Sequence, residues 1–142
     1  EALLEELSAA AGSVPDWIDI GPSGWRYAQG HAAQSGYDAL RSALFLIWSG
    51  HLDHLAVKRA AAFYIAEEQR GALVPTVFAS SGQKVLATSD FSGYEAVSAL
   101  VRCAVQPIEH LAIPRSFDDQ PYFPATLQLF SQIASETVGL NC

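Results

Sequence analysis

Asp38 and Arg41 stand three residues apart in Ser35-Gly36-Tyr37-Asp38-Ala39-Leu40-Arg41, at the head of a strongly apolar run. Helical spacing puts carboxylate and guanidinium one turn apart on one face, and a neighbouring cation keeps a carboxylate ionised and able to act as a general base. The spacing also has a purely structural reading. Ser35 and Asp38 match a capping box, in which a hydroxyl and a carboxylate three residues on satisfy the free N–H groups of a helix start. The pattern recurs as Ser92-Gly93-Tyr94-Glu95-Ala96-Val97, without an arginine one turn on. Glu95 is therefore the candidate second carboxylate, open to the same two readings.

Trp17, Trp25, Tyr27 and Tyr37 lie in or beside a stretch rich in Gly, Pro and Ser. Flat aromatic faces in a polar loop suit stacking on sugar rings or nucleobases, or they anchor the loop to the core. His51-Leu52-Asp53-His54 has the spacing of a metal-binding pair, but a turn capped by Asp53 accounts for it, so no metal is expected. His31 and His110 are isolated. No serine or cysteine sits in a nucleophile elbow and no glycine-rich phosphate loop is present, which disfavours serine or cysteine hydrolysis and nucleotide binding.

The elements that must position these residues follow from periodicity. Residues 2–11 read as an amphipathic helix closed by Gly12, and Ser13 to Gly36 as a long loop without strand alternation. Tyr37 to Gly50 is apolar almost all round and reads as a buried helix; His54 to Gln69, capped by Asp53, reads as an outer amphipathic one. Val74 to Phe78 and Gln83 to Ala87 form a hairpin pattern. A second buried helix spans Gly93 to Val105. After an irregular stretch with Pro107 and Pro114, a last helix spans Pro121 to Glu136, with Asp118 or Asp119 as its cap. Buried and amphipathic helices alternating, with both buried ones starting alike, is the pattern of an α/α toroid. Its inner helices run parallel, so one face would gather their positive ends, Asp38, Glu95 and the aromatic loop.

Composition narrows the partners. Eight Lys+Arg against 15 Asp+Glu give a formal charge of -7 over 142 residues, which argues against nucleic acid and anionic membrane surfaces. Half the residues are apolar and 16% charged, against roughly 25% charged in an ordinary soluble domain. Disorder is excluded, and the longest apolar runs, Ala43 to Trp48 and Ala60 to Ala66, fall far short of the roughly 18 residues of a membrane span. So apolar a chain of this size reads as part of a larger domain or one side of an interface. The start on Glu1, without a basic, apolar leader, and the lack of Met suggest a processed or truncated N-terminus. Cys103 and Cys142 fit a single bridge or two free thiols equally well.

Val14-Pro15-Asp16-Trp17, the Ser35 to Arg41 segment, Val74-Pro75-Thr76 with Ser81-Gly82, Phe91 to Ala96, and Gln120-Pro121-Tyr122-Phe123 through Leu127 to Phe130 together resemble the C-terminal part of glycoside hydrolase family 8. The likeness is greatest to its endo-β-1,4-glucanases associated with bacterial cellulose synthesis. The resemblance implies an all-α fold, part of an (α/α)6 barrel with a short β-hairpin excursion, in which residues 1–142 are the C-terminal portion of a single catalytic domain. It implies hydrolysis of internal β-1,4-glucosidic bonds with inversion. Asp38 aligns with the general base, and Tyr37 and Arg41 with neighbours that contact the sugar or orient that base. Trp17 and Trp25 are further substrate-binding candidates. The general acid of an inverting pair stands roughly 6.5 to 9.5 Å from the base. In the family it is a glutamate of the first half of the domain, which nothing here matches, and Glu95 falls at an inner-helix start that is not acidic in the relatives. The chain alone is then inactive. Its partners would be a β-glucan polysaccharide or oligosaccharide, the remaining N-terminal half and the cellulose-synthesis machinery, with no cofactor, in the periplasm or outside the cell. The competing reading is a non-catalytic helical carbohydrate-binding or interaction domain.

Overall fold

Helices occupy the places the periodicity marks, with α2, α3 and α5 starting one to three residues later than expected. The computed structural model describes all residues except 72, 82, 83 and 107–110. The readings for Gly82, Gln83, Pro107 and His110 lie outside the described residues. In chain order the elements are α1 (Ala2–Ala11), β1 (Ile18–Gly21), β2 (Gly24–Tyr27), β3 (Gln34–Ser35), α2 (Leu40–Trp48), α3 (Leu55–Glu68), β4 (Val74–Ala79), β5 (Val85–Ser89), α4 (Ser92–Val105) and α5 (Tyr122–Val138). The chain is mostly helical. Gly12 ends α1 in the left-handed conformation that a residue with a side chain adopts only at a cost.

The strands go beyond the single hairpin expected. The stretch from Ser13 to Gly36 is not a strandless loop: β1 and β2 pair antiparallel, with Ile18 opposite Tyr27, Asp19 opposite Arg26 and Ile20 opposite Trp25. That register puts Ile18, Ile20, Trp25 and Tyr27 on one face of the ribbon and the Asp19–Arg26 ion pair on the other. Farther along, β3 joins the β4–β5 hairpin to make a three-stranded antiparallel sheet, Ser35 lying opposite Phe78. This pairing draws the residues just before α2 onto a rigid support.

Leu44, Ile47, Val57, Val97, Leu100 and Leu127 form the centre of the core, contributed by α2, α3, α4 and α5. Tyr37, Tyr94 and Phe123, from the starts of α2, α4 and α5, lie with ring centroids 6.1 to 6.4 Å apart. Farther along, Trp48 of α2 meets Phe130 of α5 at 5.6 Å, and Cys103 near the end of α4 is disulfide-bonded to Cys142 just past α5. The three helices therefore start at one corner and run in the same direction. At that corner a Cβ on Gly93 would lie 1.8 Å from the carbonyl oxygen of Pro124, so only glycine lets α4 and α5 meet there.

Helix starts are satisfied differently from the expectation. At α3 the capping residue is His54, whose Nδ1 accepts the Ala56 N–H at 3.1 Å, and Asp53 pairs with Lys58 instead. His51 and His54 reach Glu1 and Glu5, tying α1 to the turn between α2 and α3. Neither Asp118 nor Asp119 caps α5, which starts after Pro121 with no side-chain cap. Pro124 in its first turn has no N–H to satisfy, so less is left for a cap to do. At α4 the Ser92 hydroxyl is turned inward to the fully buried Gln128, and the Gly93 N–H donates to Gln120 Oε1 at 3.0 Å.

Two stability outcomes follow. Gly93→Ala must push α4 from α5 and should cost about 3 kcal/mol or more, measured by urea unfolding. Reducing Cys103–Cys142, which spans a sequence separation of 39, should lower stability by about 4 kcal/mol on loop entropy, read from melting with and without reductant.

Candidate active site

The turn that carries Tyr37 and Asp38 is held from outside its own helix. The Leu40 N–H donates to the Gly36 carbonyl at 2.9 Å, so a single turn opens at Gly36 ahead of α2, and a side chain capping that turn would sit at Gly36. Glycine has none. The cap comes instead from Asp16: its Oδ1 accepts the N–H of Gly36 at 2.8 Å and of Ala39 at 2.9 Å. The space beside Gly36 is taken by its neighbours, since a Cβ there would lie 2.9 Å from Asp16 Oδ2 and 3.2 Å from Val77. The capping-box reading of Ser35 and Asp38 is thereby corrected. Ser35 belongs to β3, and the α2 start has no side-chain cap of its own.

Relieved of capping, the Asp38 carboxylate pairs with Arg41, Nη2 donating to Oδ1 at 2.6 Å. Both side chains are part-exposed, 50% for Asp38 and 40% for Arg41, so the pair is open to a ligand. The Arg41 guanidinium also lies 5.9 Å from the centre of the Phe123 ring, within range of a cation–π contact. Its Nε is buried without a hydrogen-bond partner among the described residues. Tyr37 is 47% exposed beside Asp38 and packs on Phe123 and on buried Tyr94. The starts of α2, α4 and α5 meet here, so the positive dipole ends of three helices gather at this corner. The corner thus presents a fixed carboxylate, a cation that orients it and an exposed aromatic ring.

Tyr37, Asp38 and Arg41 lie together at this corner. Trp17 is exposed and stacks on His31 at 4.9 Å; Trp25 meets Tyr27 edge-on at 5.6 Å in the β1–β2 ribbon. Glu95 is exposed one residue beyond Tyr94 and lines a hollow with Tyr64, Glu68, Pro75, Ser98 and Arg102, in which Arg102 is bonded to Glu68. That hollow contains none of Tyr37, Asp38 or Arg41. Among the described residues, no group of three His, Cys, Asp or Glu side chains is placed to hold a metal ion. Asp16 is the residue that sequence reasoning missed, although Val14-Pro15-Asp16-Trp17 was already singled out as a motif.

No family model and no curated protein matches the sequence. Among solved structures the chain is similar to the endo-β-1,4-glucanase CMCax from Acetobacter xylinum, with a TM-score of 0.72 over 96% of this chain. The two share a fold. Identical residues make up 22%, and the chain spans 43% of the length of the glucanase chain.

Burial, and secondarily the neighbouring Tyr37, push the Tyr94 phenol above the ordinary tyrosine range, and burial does the same to Tyr64. Above a pH of about 10 the unfolded chain gives up these protons while the folded chain keeps them, so stability falls as pH rises through that window. Tyr94→Phe should remove part of that fall, leaving the share of Tyr64, when urea midpoints at about pH 9 and pH 11 are compared.

Proposed function

We propose that this chain is the base-bearing part of an inverting endo-β-1,4-glucanase of glycoside hydrolase family 8. The observation that carries the reading is the state of Asp38: released from capping by Asp16, paired with Arg41 and part-exposed beside Tyr37. The shared fold with a β-1,4-glucanase supports it. In this reading the helices belong to an (α/α)6 barrel, with α2, α4 and α5 among those whose starts line the cleft. A β-glucan lies across that corner, with sugar faces on Tyr37 and, farther out, on Trp17 and Trp25.

Chemically, Asp38 takes a proton from a water molecule as that water attacks the anomeric carbon. The C–O bond to the leaving sugar breaks on the opposite side, so the configuration inverts. Arg41 holds the carboxylate aimed at the water before the step, a positioning role supported by the Phe123 ring 5.9 Å from its guanidinium. The leaving oxygen is protonated by a general acid that we assign to a further segment of the complete enzyme. The Cys103–Cys142 bond and the acidic surface suit work on a neutral polysaccharide in an oxidising compartment, the periplasm or the exterior, next to the cellulose-synthesis machinery.

In the complete enzyme, Asp38→Asn should lower kcat on β-1,4-glucan by about 10² to 10⁴-fold, the usual contribution of a general base, with oligosaccharide affinity retained. Reducing-sugar release gives the first quantity and calorimetry the second. Near-normal hydrolysis would overturn the assignment.

A further inference from the structure

We infer that Asp16 is a positioning residue for the base, an inference that rests on the glucanase reading for its catalytic half. Asp16 lies 22 residues before Asp38 and hydrogen-bonds to the backbone on either side of it, at Gly36 and Ala39. A single oxygen, Oδ1, accepts the N–H groups on either side of the Tyr37-Asp38 pair, so both ends of that dipeptide are tied to one point. The point itself is fixed. The Asp16 N–H donates to the Gln34 carbonyl at 2.9 Å, the Gln34 amide lies 3.4 Å from Oδ2, and Gln34 is paired with Ala79 in the three-stranded sheet. Asp16 therefore transmits the position of the sheet to the two residues that meet the substrate.

Two features distinguish this from ordinary helix capping. The turn leading into α2 could be capped locally by a serine or aspartate at position 36, the kind of side chain that most helix starts use. Here the local residue is glycine, and its missing side chain is the space the Asp16 carboxylate and Val77 fill. Position 38 meanwhile carries a carboxylate that could serve its own helix start and instead faces Arg41. The arrangement moves the capping work to a residue outside the corner and leaves Asp38 for chemistry. Placement matters at this scale, because a reacting group displaced by about 1 Å can lose on the order of 10²-fold in rate.

The test uses the complete enzyme for rates and amide hydrogen exchange for the turn. Asp16→Ala and Asp16→Glu remove or displace the acceptor; each should lower kcat by about 10²-fold while KM changes less than about threefold. Asp16→Asn keeps a carbonyl oxygen able to accept both N–H groups and should restore kcat to within about tenfold of the parent. Exchange at Gly36 and Ala39 should accelerate in the Ala and Glu variants and stay slow in the Asn variant. Should Asp16→Ala fail to fold, the Glu and Asn pair decides alone. Rapid exchange at Gly36 and Ala39 with kcat within twofold of the parent overturns the positioning role, as does unchanged exchange in the Ala and Glu variants. The glucanase reading fails separately, by an Asp38→Asn enzyme that still hydrolyses glucan, and the exchange measurement then still reports whether Asp16 holds the turn.

Discussion

The backbone of α5 at Pro124 passes against Gly93 so closely that a side chain there would collide with a carbonyl oxygen, and this contact sets where three helices begin. Once α4 and α5 meet backbone to backbone, Tyr94 and Phe123 are adjacent by necessity. Tyr37 closes the group from α2, and Arg41 one turn on has a ring to lie over. Gln120 and Gln128 seal the same contact with polar atoms. Gln120 accepts the Gly93 N–H, and buried Gln128 donates to the carbonyls of Pro114 and Ser116, so the chain leading into α5 is fastened to it. Unpaired, the buried Gln128 amide would cost about 1 to 3 kcal/mol; paired, it and Gln120 specify one arrangement of the corner.

The two sequence echoes, Ser35-Gly36-Tyr37-Asp38 and Ser92-Gly93-Tyr94-Glu95, turn out to share a different device from the one their spacing suggests. In each, a glycine at the helix start donates its N–H to a side-chain oxygen from a distant segment, Asp16 at Gly36 and Gln120 at Gly93. In each, the missing Cβ leaves room for a neighbour, and the tyrosine that follows joins the aromatic group. The acidic residue is left over in both. At α2 it finds Arg41; at α4, with no arginine one turn on, Glu95 is exposed beside a hollow.

Much of this was legible in the residues. Period-3.6 patterns located the five helices among the described residues, because helices with a continuous apolar face announce themselves over nine or more residues. The starts were harder. His54 caps α3 though Asp53 beside it is the commoner capping type, since the turn geometry and Glu5 on α1 decide which side chain faces the helix. The β1–β2 ribbon was missed because Ile18-Asp19-Ile20 and Trp25-Arg26-Tyr27 alternate over only three residues each, too short to separate from a loop. Asp16 was beyond reach for a different reason: its partners are 20 and 23 residues away, and nothing in local spacing marks a carboxylate as another segment's cap.

The disulfide closes residues 103 to 142 into a covalent ring that holds Gln120, Phe123 and the whole of α5. A protease that cuts the connection between α4 and α5 once would therefore leave the two pieces joined, with Phe123 still tethered near Arg41. A nicked molecule would migrate as two fragments only after reduction, and its aromatic corner would outlast the integrity of the chain.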